Sequence, residues 1–328
     1  MEGVGPKNGK TILAQVAVLK RVAAFLWQAI KIIVGLIILS FFLSILLSLF
    51  IGDGIETLDG NVALIDITGL IIAEKDTDFL FEDVTSSEEI NKLIRRANRN
   101  DKIKAIIFKI NSPGGSAVAS EEIAKEIKKT NKTTVAWIRE VGTSGAYWIA
   151  SSTEHVIANR MSITGSIGVI ASYLGFSGFL DKHSVTYERL VSGNLKDIGS
   201  PFKDLTPKER ALFDKSLAAI HDYFIEDVAK NRNLRRGDVE KIATGMFYIG
   251  SEAKQLGLID ELGGREEVID YVEKQIGEDA DVVRYKKEKG FFGALSQAMN
   301  EKSFYIGKGL GNSFFTKSKF PDRIGIST

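Results

Sequence analysis

The sequence predicts an α/β domain on a largely parallel sheet, preceded by one transmembrane helix. Three observations predict it. From residue 61 to 159, short β-branched runs alternate with segments of helical periodicity, the pattern of βαβ units. Glycine turns at Gly114-Gly115 and around Ser144 follow directly on two of those runs, and sites in open α/β sheets gather at the carboxyl ends of strands. Residues 32–51 form 20 consecutive uncharged positions, which as a helix span roughly 30 Å of hydrocarbon.

The apolar stretch exceeds the roughly 7–15 residues of a signal-peptide core, and no small-x-small cleavage pattern follows it, so it reads as an uncleaved anchor. Lys7, Lys10, Lys20, Arg21 and Lys31 precede it, and Asp53, Glu56 and Asp59 follow. The positive-inside bias therefore makes residues 1–31 a cytoplasmic segment, puts the span at 32–51, and leaves the rest outside the cell membrane. Residues 14–30, apolar with Lys20 and Arg21 interspersed, read as an interfacial helix feeding the span.

At 328 residues, 44% hydrophobic and 26% charged, the chain has ample material for a core. A net charge of +1 provides no field for nucleic acid, which is not an expected partner. With no cysteine there is neither a disulfide nor a thiolate zinc site.

The soluble part opens with a strand at 61–68, where Ala63, Ile65 and Ile67 share one face. A loop covers 70–84. Thr85 or Ser86 caps a helix at 86–99, with Glu88 or Glu89 completing a capping box and Ile90, Leu93, Ile94 and Ala97 on the inner stripe. A strand at 103–110 ends in Asn111-Ser112-Pro113-Gly114-Gly115-Ser116, and helical spacing returns at 117–129 through Ile123, Ala124 and Ile127. A strand at 133–138, a small-residue helix at 145–151 and a short strand at 155–159 follow. Residues 161–170 are apolar and punctuated by glycine, 185–191 read as a strand, and 192–201 as a loop. Thr206-Pro207-Lys208-Glu209 has cap, N1 proline and box residue in order. The helix it starts carries Phe213, Leu217, Ile220, Phe224 and Val228 on one stripe. Residues 251–257 form a helix closed by Gly257, and 265–276 form another. From Arg284 onward nine basic residues stand against three acidic ones, with aromatics that keep no period. Residues 284–328 thus read as a basic, aromatic tail of weak local structure.

Ser144, on a glycine-flanked turn between strand and helix, is the candidate nucleophile. Such an elbow exposes the hydroxyl and aims the next backbone N–H groups at a developing oxyanion. A serine needs a base within reach. The three histidines, His155, His183 and His221, lack surroundings that would orient an imidazole. A lysine serves when burial keeps it neutral. Lys196, in a glycine-bounded loop, stands out, with Lys182 and Lys203 as local competitors. Asp197 reads as solvated, and Tyr147 and Trp148 as core residues.

Five ordered motifs carry a family resemblance: Ser112-Pro113-Gly114-Gly115; Gly142-Thr143-Ser144-Gly145-Ala146-Tyr147; Thr164-Gly165-Ser166-Ile167-Gly168-Val169; Lys196-Asp197-Ile198-Gly199-Ser200-Pro201; and Gly250, Ala253, Gly257 and Asp260 in their spacing. Over about residues 60–275 the chain resembles signal peptide peptidase A in its short, single-repeat form. These are membrane-anchored Ser-Lys peptidases with a Clp protease/crotonase-like core of repeated ββα-type spiral units. The resemblance implies Ser144 as nucleophile, Lys196 as general base, Ser166 as the hydroxyl orienting the lysine, and Gly115 and Gly145 as oxyanion-hole donors, with Gly114 an alternative to Gly115. It implies no metal or cofactor. It implies hydrophobic peptides such as remnant signal peptides as substrates, contact with membrane lipid, and a ring-like homo-oligomer. A crotonase-like acyl-CoA enzyme and a non-catalytic membrane scaffold of the same fold are the competing readings.

Overall fold

The computed structural model describes residues 8–50, 60–74 and 84–286. It divides into an N-terminal unit and a larger unit that holds the sheet.

The N-terminal unit is a single helix, α1 (Asn8–Phe50), of 43 residues. Leu19–Ser44 within it is long and apolar enough to cross a membrane, with none of its most apolar window buried. The helix runs without a break through the boundary expected between an interfacial segment and a span. Nothing in the sequence there stops it, since between residues 14 and 50 Gly35 is the sole glycine and no proline occurs.

The second unit begins with β1 (Val62–Ile72), β2 (Val84–Ser86), α2 (Ser87–Arg99), β3 (Ala105–Gly115), α3 (Ala117–Lys128), β4 (Thr133–Thr143), α4 (Gly145–Ser151) and β5 (His155–Ala158). It continues with β6 (Ile163–Gly165), α5 (Ser177–Lys182), α6 (Pro207–Asn231), α7 (Arg236–Ile242), β7 (Phe247–Ile249), α8 (Gly250–Gln255), β8 (Glu261–Leu262), α9 (Arg265–Ile276) and β9 (Val282–Tyr285). The sheet runs β2-β1-β3-β4-β5-β8. β9 pairs with β1, β6 with the far end of β4, and β7 with β6. Every pairing is parallel except β6 with β7.

Parallel strands are covered on both faces and so read as continuous apolar runs. Residues 105–108 and Ile110 are accordingly buried. Val62, Ala105, Ile107, Val135 and Ile157 pack with Val268 and Val272 of α9 on one face. The buried stripes Ile90, Ile94 and Ala97 of α2 and Ile123, Ala124 and Ile127 of α3 belong to helices that pack on each other and on β1.

Both expected caps form: Ser86 accepts from the Glu89 N–H, and Thr206 and Glu209 make a full capping box on α6. β1, β3 and β4 run several residues beyond their expected ends. They do so across register shifts at 68–70 of β1 and 110–112 of β3, and such bulges re-aim strand ends near sites. β9 adds Arg284 and Tyr285 to the sheet; the rest of the expected tail, 287–328, lies outside the described residues.

Two expectations fail. Residues 185–191 form no strand; they run exposed through an extension, and among the described residues no strand pairs with them. Asp197 is not solvated, as its ion pairs below explain.

Candidate active site

Ser144 is the N-cap of α4, with φ 54° and ψ −125°, and its side chain makes no capping hydrogen bond. The hydroxyl is therefore not consumed by the helix that presents it. Such backbone costs about 1–3 kcal/mol and persists only where the surroundings over-determine it. Here they do. All seven residues of α4 are buried. The Tyr147 hydroxyl donates to Leu258 O at 2.8 Å. Trp148 stacks on Phe224 and donates its indole N–H to Asp227. Burial pushes the Tyr147 phenol well above its usual range, so it stays a neutral donor.

The glycine turn closing β3 packs against this elbow. A Cβ on Gly114 would lie 2.8 Å from the Gly145 nitrogen and 2.9 Å from the Ser144 Cβ, and the residue has φ +99°. A Cβ on Gly115 would come 2.1 Å from Ile71 O, and one on Gly145 would meet Ser120 Oγ at 2.1 Å and the Gly115 nitrogen at 3.5 Å. Only glycine fits at these three close approaches. Buried Ser112 donates its hydroxyl to Gly69 O at 2.6 Å and accepts the Gly114 N–H at 3.1 Å. The Gly114 amide is thereby engaged. The Ser116 amide, two residues on, donates back to Ile71 O. The Gly115 nitrogen, between them in the chain, lies beside Gly145, 3.5 Å from where a Cβ on that residue would be.

Ser166 reaches the same place by strand pairing. Thr143 is in register with Gly165, and the Ser144 N–H donates to Gly165 O at 2.8 Å. Ser166 has φ 49°. Its hydroxyl donates to Gly245 O at 3.1 Å, and its N–H to Met246 O.

Lys196 lies elsewhere. It sits exposed in consecutive turns of the extension, its N–H bonded to Gly193 O, and no hydrogen bond joins its amine to Ser144 or Ser166 among the described residues. The competitor Lys203 is engaged: it reaches Glu209 at 2.5 Å and Asp197 at 3.3 Å. Its hydrogen bond to Glu209 raises its pKa, which holds it as ammonium. Asp197 is also held by Arg189 through two hydrogen bonds and is 10% exposed. The Arg189 guanidinium above all holds this carboxyl well below the usual carboxylate range. The extension bares Ile170, Leu174, Phe179, Val185 and Leu190, all more than half exposed.

Residues 126–278 match the model of Peptidase family S49. A candidate protease of Methanocaldococcus jannaschii is 30% identical over 239 residues, 71% of this chain and 76% of that one. A candidate signal peptide peptidase SppA of Enterococcus faecium is 30% identical over 232 residues, 70% and 67% of the two chains. The chain belongs to the signal peptide peptidase A family. The Serine protease SPPA, chloroplastic, of Arabidopsis thaliana is 32% identical over 181 residues, 54% of this chain and 27% of that one.

As a signal peptide peptidase A family member the protein is a peptidase of mixed α/β fold with a parallel sheet and one N-terminal apolar helix suited to anchoring it. In this family member His155 starts β5, at the opposite end of the sheet from Ser144, and faces Asp260 and Glu261. The sequence reading quoted Ser112 in a motif without giving it a role of its own, and it missed Ser120 and Arg189. The alternation of buried and exposed positions at a strand end could have flagged Ser112. Nothing local marks Ser120 or Arg189, whose partners are set by packing.

Proposed function

We propose that this peptidase is a membrane-anchored serine endopeptidase that cleaves remnant signal peptides and other hydrophobic peptides through a Ser-Lys dyad. The observation that carries this reading is Ser144 at positive φ, its hydroxyl unspent on α4, against a glycine turn where no Cβ fits. Lys196 takes the Ser144 proton, and the alkoxide oxygen attacks the peptide carbonyl. The Gly115 and Gly145 amides stabilise the tetrahedral oxyanion, the lysine protonates the leaving amine, and it then activates water for deacylation. Ser166 orients the lysine amine.

Exposed Lys196 meets Ser144 in a ring-like homo-oligomer. There a neighbouring copy covers the bared apolar residues of the extension and strips water from the site, since patches of this kind mark association surfaces. In this reading the basic residues before the span keep the N-terminus in the cytoplasm, and the peptidase acts outside the membrane on apolar peptides released there.

The test incubates the full-length protein in detergent with a synthetic signal peptide and a serine-directed fluorophosphonate. Cleavage and labelling are both expected, with Ser144→Ala losing both and Lys196→Ala losing cleavage. Wild-type cleavage by Lys196→Ala would move the base role to another residue, and cleavage by Ser144→Ala would end the serine mechanism.

A further inference from the structure

A base must be held within about half an ångström of its working position, yet Lys196 lies on turns that belong to no helix or strand. Besides their own backbone bonds, a single guanidinium bonds these turns on both sides of Lys196. Arg189 donates through Nη2 to Asn194 O at 3.1 Å and to Asp197 Oδ1 at 2.8 Å, and through Nε to Asp197 Oδ2. It therefore grips the backbone two residues before Lys196 and the side chain one residue after. The grip continues into the fold. Asp197 passes to Lys203, Lys203 to Glu209, and Glu209, 4% exposed, closes the capping box on Thr206 at the start of α6. Behind the turns, Gly199 at φ +77° sits where a Cβ would lie 3.1 Å from the Phe213 ring of the same helix.

We propose that Arg189 and Asp197 are positioning residues for the general base: together they clamp the turn that carries Lys196 onto the N-terminus of α6. This rests on the Ser-Lys reading. The planar fork of arginine satisfies a carboxylate with two parallel bonds and still has a donor for Asn194 O; a lysine is a point charge that cannot span these acceptors. The four charges Arg189, Asp197, Lys203 and Glu209 also sum to zero, so the clamp immobilises the turn without adding net charge beside the base.

The test measures kcat, KM and the pH–rate profile of the full-length protein on a synthetic apolar signal peptide. The variants are Arg189→Ala, Arg189→Lys, Asp197→Asn and Lys196→Ala. Displacing a catalytic group by about an ångström costs on the order of 100-fold in rate. A fall of at least about 10-fold in kcat is expected for the Arg189 and Asp197 variants, with KM within about twofold, and Arg189→Lys does not rescue. Removing the Arg189 cation moves the ascending limb of the profile to higher pH, and removing the Asp197 anion moves it to lower pH. A merely structural role would not give opposite signs. Arg189→Lys keeps the charge at a partly exposed position, so it folds even where Arg189→Ala does not, and fluorophosphonate labelling of Ser144 checks this. If Lys196→Ala is inactive while the Arg189→Lys and Asp197→Asn enzymes keep wild-type kcat and profile, the clamp is overturned and the dyad stands. If Lys196→Ala is active, the dyad fails and the clamp with it.

Discussion

The Ser144 amide donates to the Gly165 carbonyl across 2.8 Å, joining residues 21 positions apart in the chain at the end of the β4–β6 pair. Gly165 has φ +76°, and a Cβ there would meet the Tyr248 ring at 2.9 Å. Gly165→Ala is expected to cost about 1–2 kcal/mol for the left-handed backbone alone, with the ring clash added. For a domain of this size each kcal/mol lowers Tm by about 2–4 °C. Labelling of Ser144 by a fluorophosphonate should slow in parallel. A variant with wild-type Tm and labelling rate would mean this bond does not hold the elbow.

Tyr147 is wholly buried, with its hydroxyl on Leu258 O. Tyr147→Phe keeps the ring and strands a buried carbonyl, so a loss of about 1–3 kcal/mol is expected in chemical denaturation, with the slope against denaturant unchanged. Because the ring still backs α4, kcat at a temperature well below Tm should stay near wild type. A large kcat loss with unchanged stability would instead put Tyr147 in the chemistry.

These two residues show what the sequence could reveal. Tyr147 and Trp148 read as core from their place in a small, apolar helix, and the strands to either side read from β-branched runs, because burial on both faces leaves that mark. The extension is the opposite case. Residues 185–191 read as a strand, but an apolar pattern specifies a face and not a partner, and among the described residues no strand pairs with them. Asp197 read as solvated because an isolated acid beside a lysine gives no sign of Arg189 eight positions earlier or Glu209 twelve positions later. The serine elbow and the glycine turn are local and were visible; the exposed setting of Lys196, held apart from them in the extension, is not local and was not.

Ser120 Oγ lies 2.1 Å from where a Gly145 Cβ would be, held there by its bond to Ser116 O. Gly145→Ala should therefore disable labelling and cleavage, whereas Ser120→Ala, which forfeits one helix back-bond, should be mild. In the double variant the hydroxyl is gone and only the Ser120 Cβ, 3.1 Å away, remains. Part of the activity is expected to return, a coupling that a double-mutant cycle on kcat/KM measures. Simple additivity would show that Gly145 is needed for a reason other than this contact.

Glu209 closes the chain of charges on α6, and its acid dependence follows from its partners. The hydrogen bond from Lys203 first, then those from Thr206, hold its carboxyl at about 2, against an ordinary value of 4.5. A folded-state value below the unfolded one means the unfolded chain binds the proton more readily, so stability rises with pH through this window. The contribution is complete above about pH 4.5 and is lost as pH falls toward about 2. Asp197, depressed in the same direction by Arg189, adds to the same slope. Glu209→Gln should lower Tm at neutral pH and flatten, without abolishing, the decline in Tm on acidification, since Asp197 still titrates. Salt should narrow the difference between the two proteins, because Lys203 is 20% exposed and its pairing is partly screened. Thermal melts of the two proteins between about pH 2 and pH 7 decide it: parallel curves would mean that Glu209 gains nothing on folding from Lys203 or the Thr206 cap.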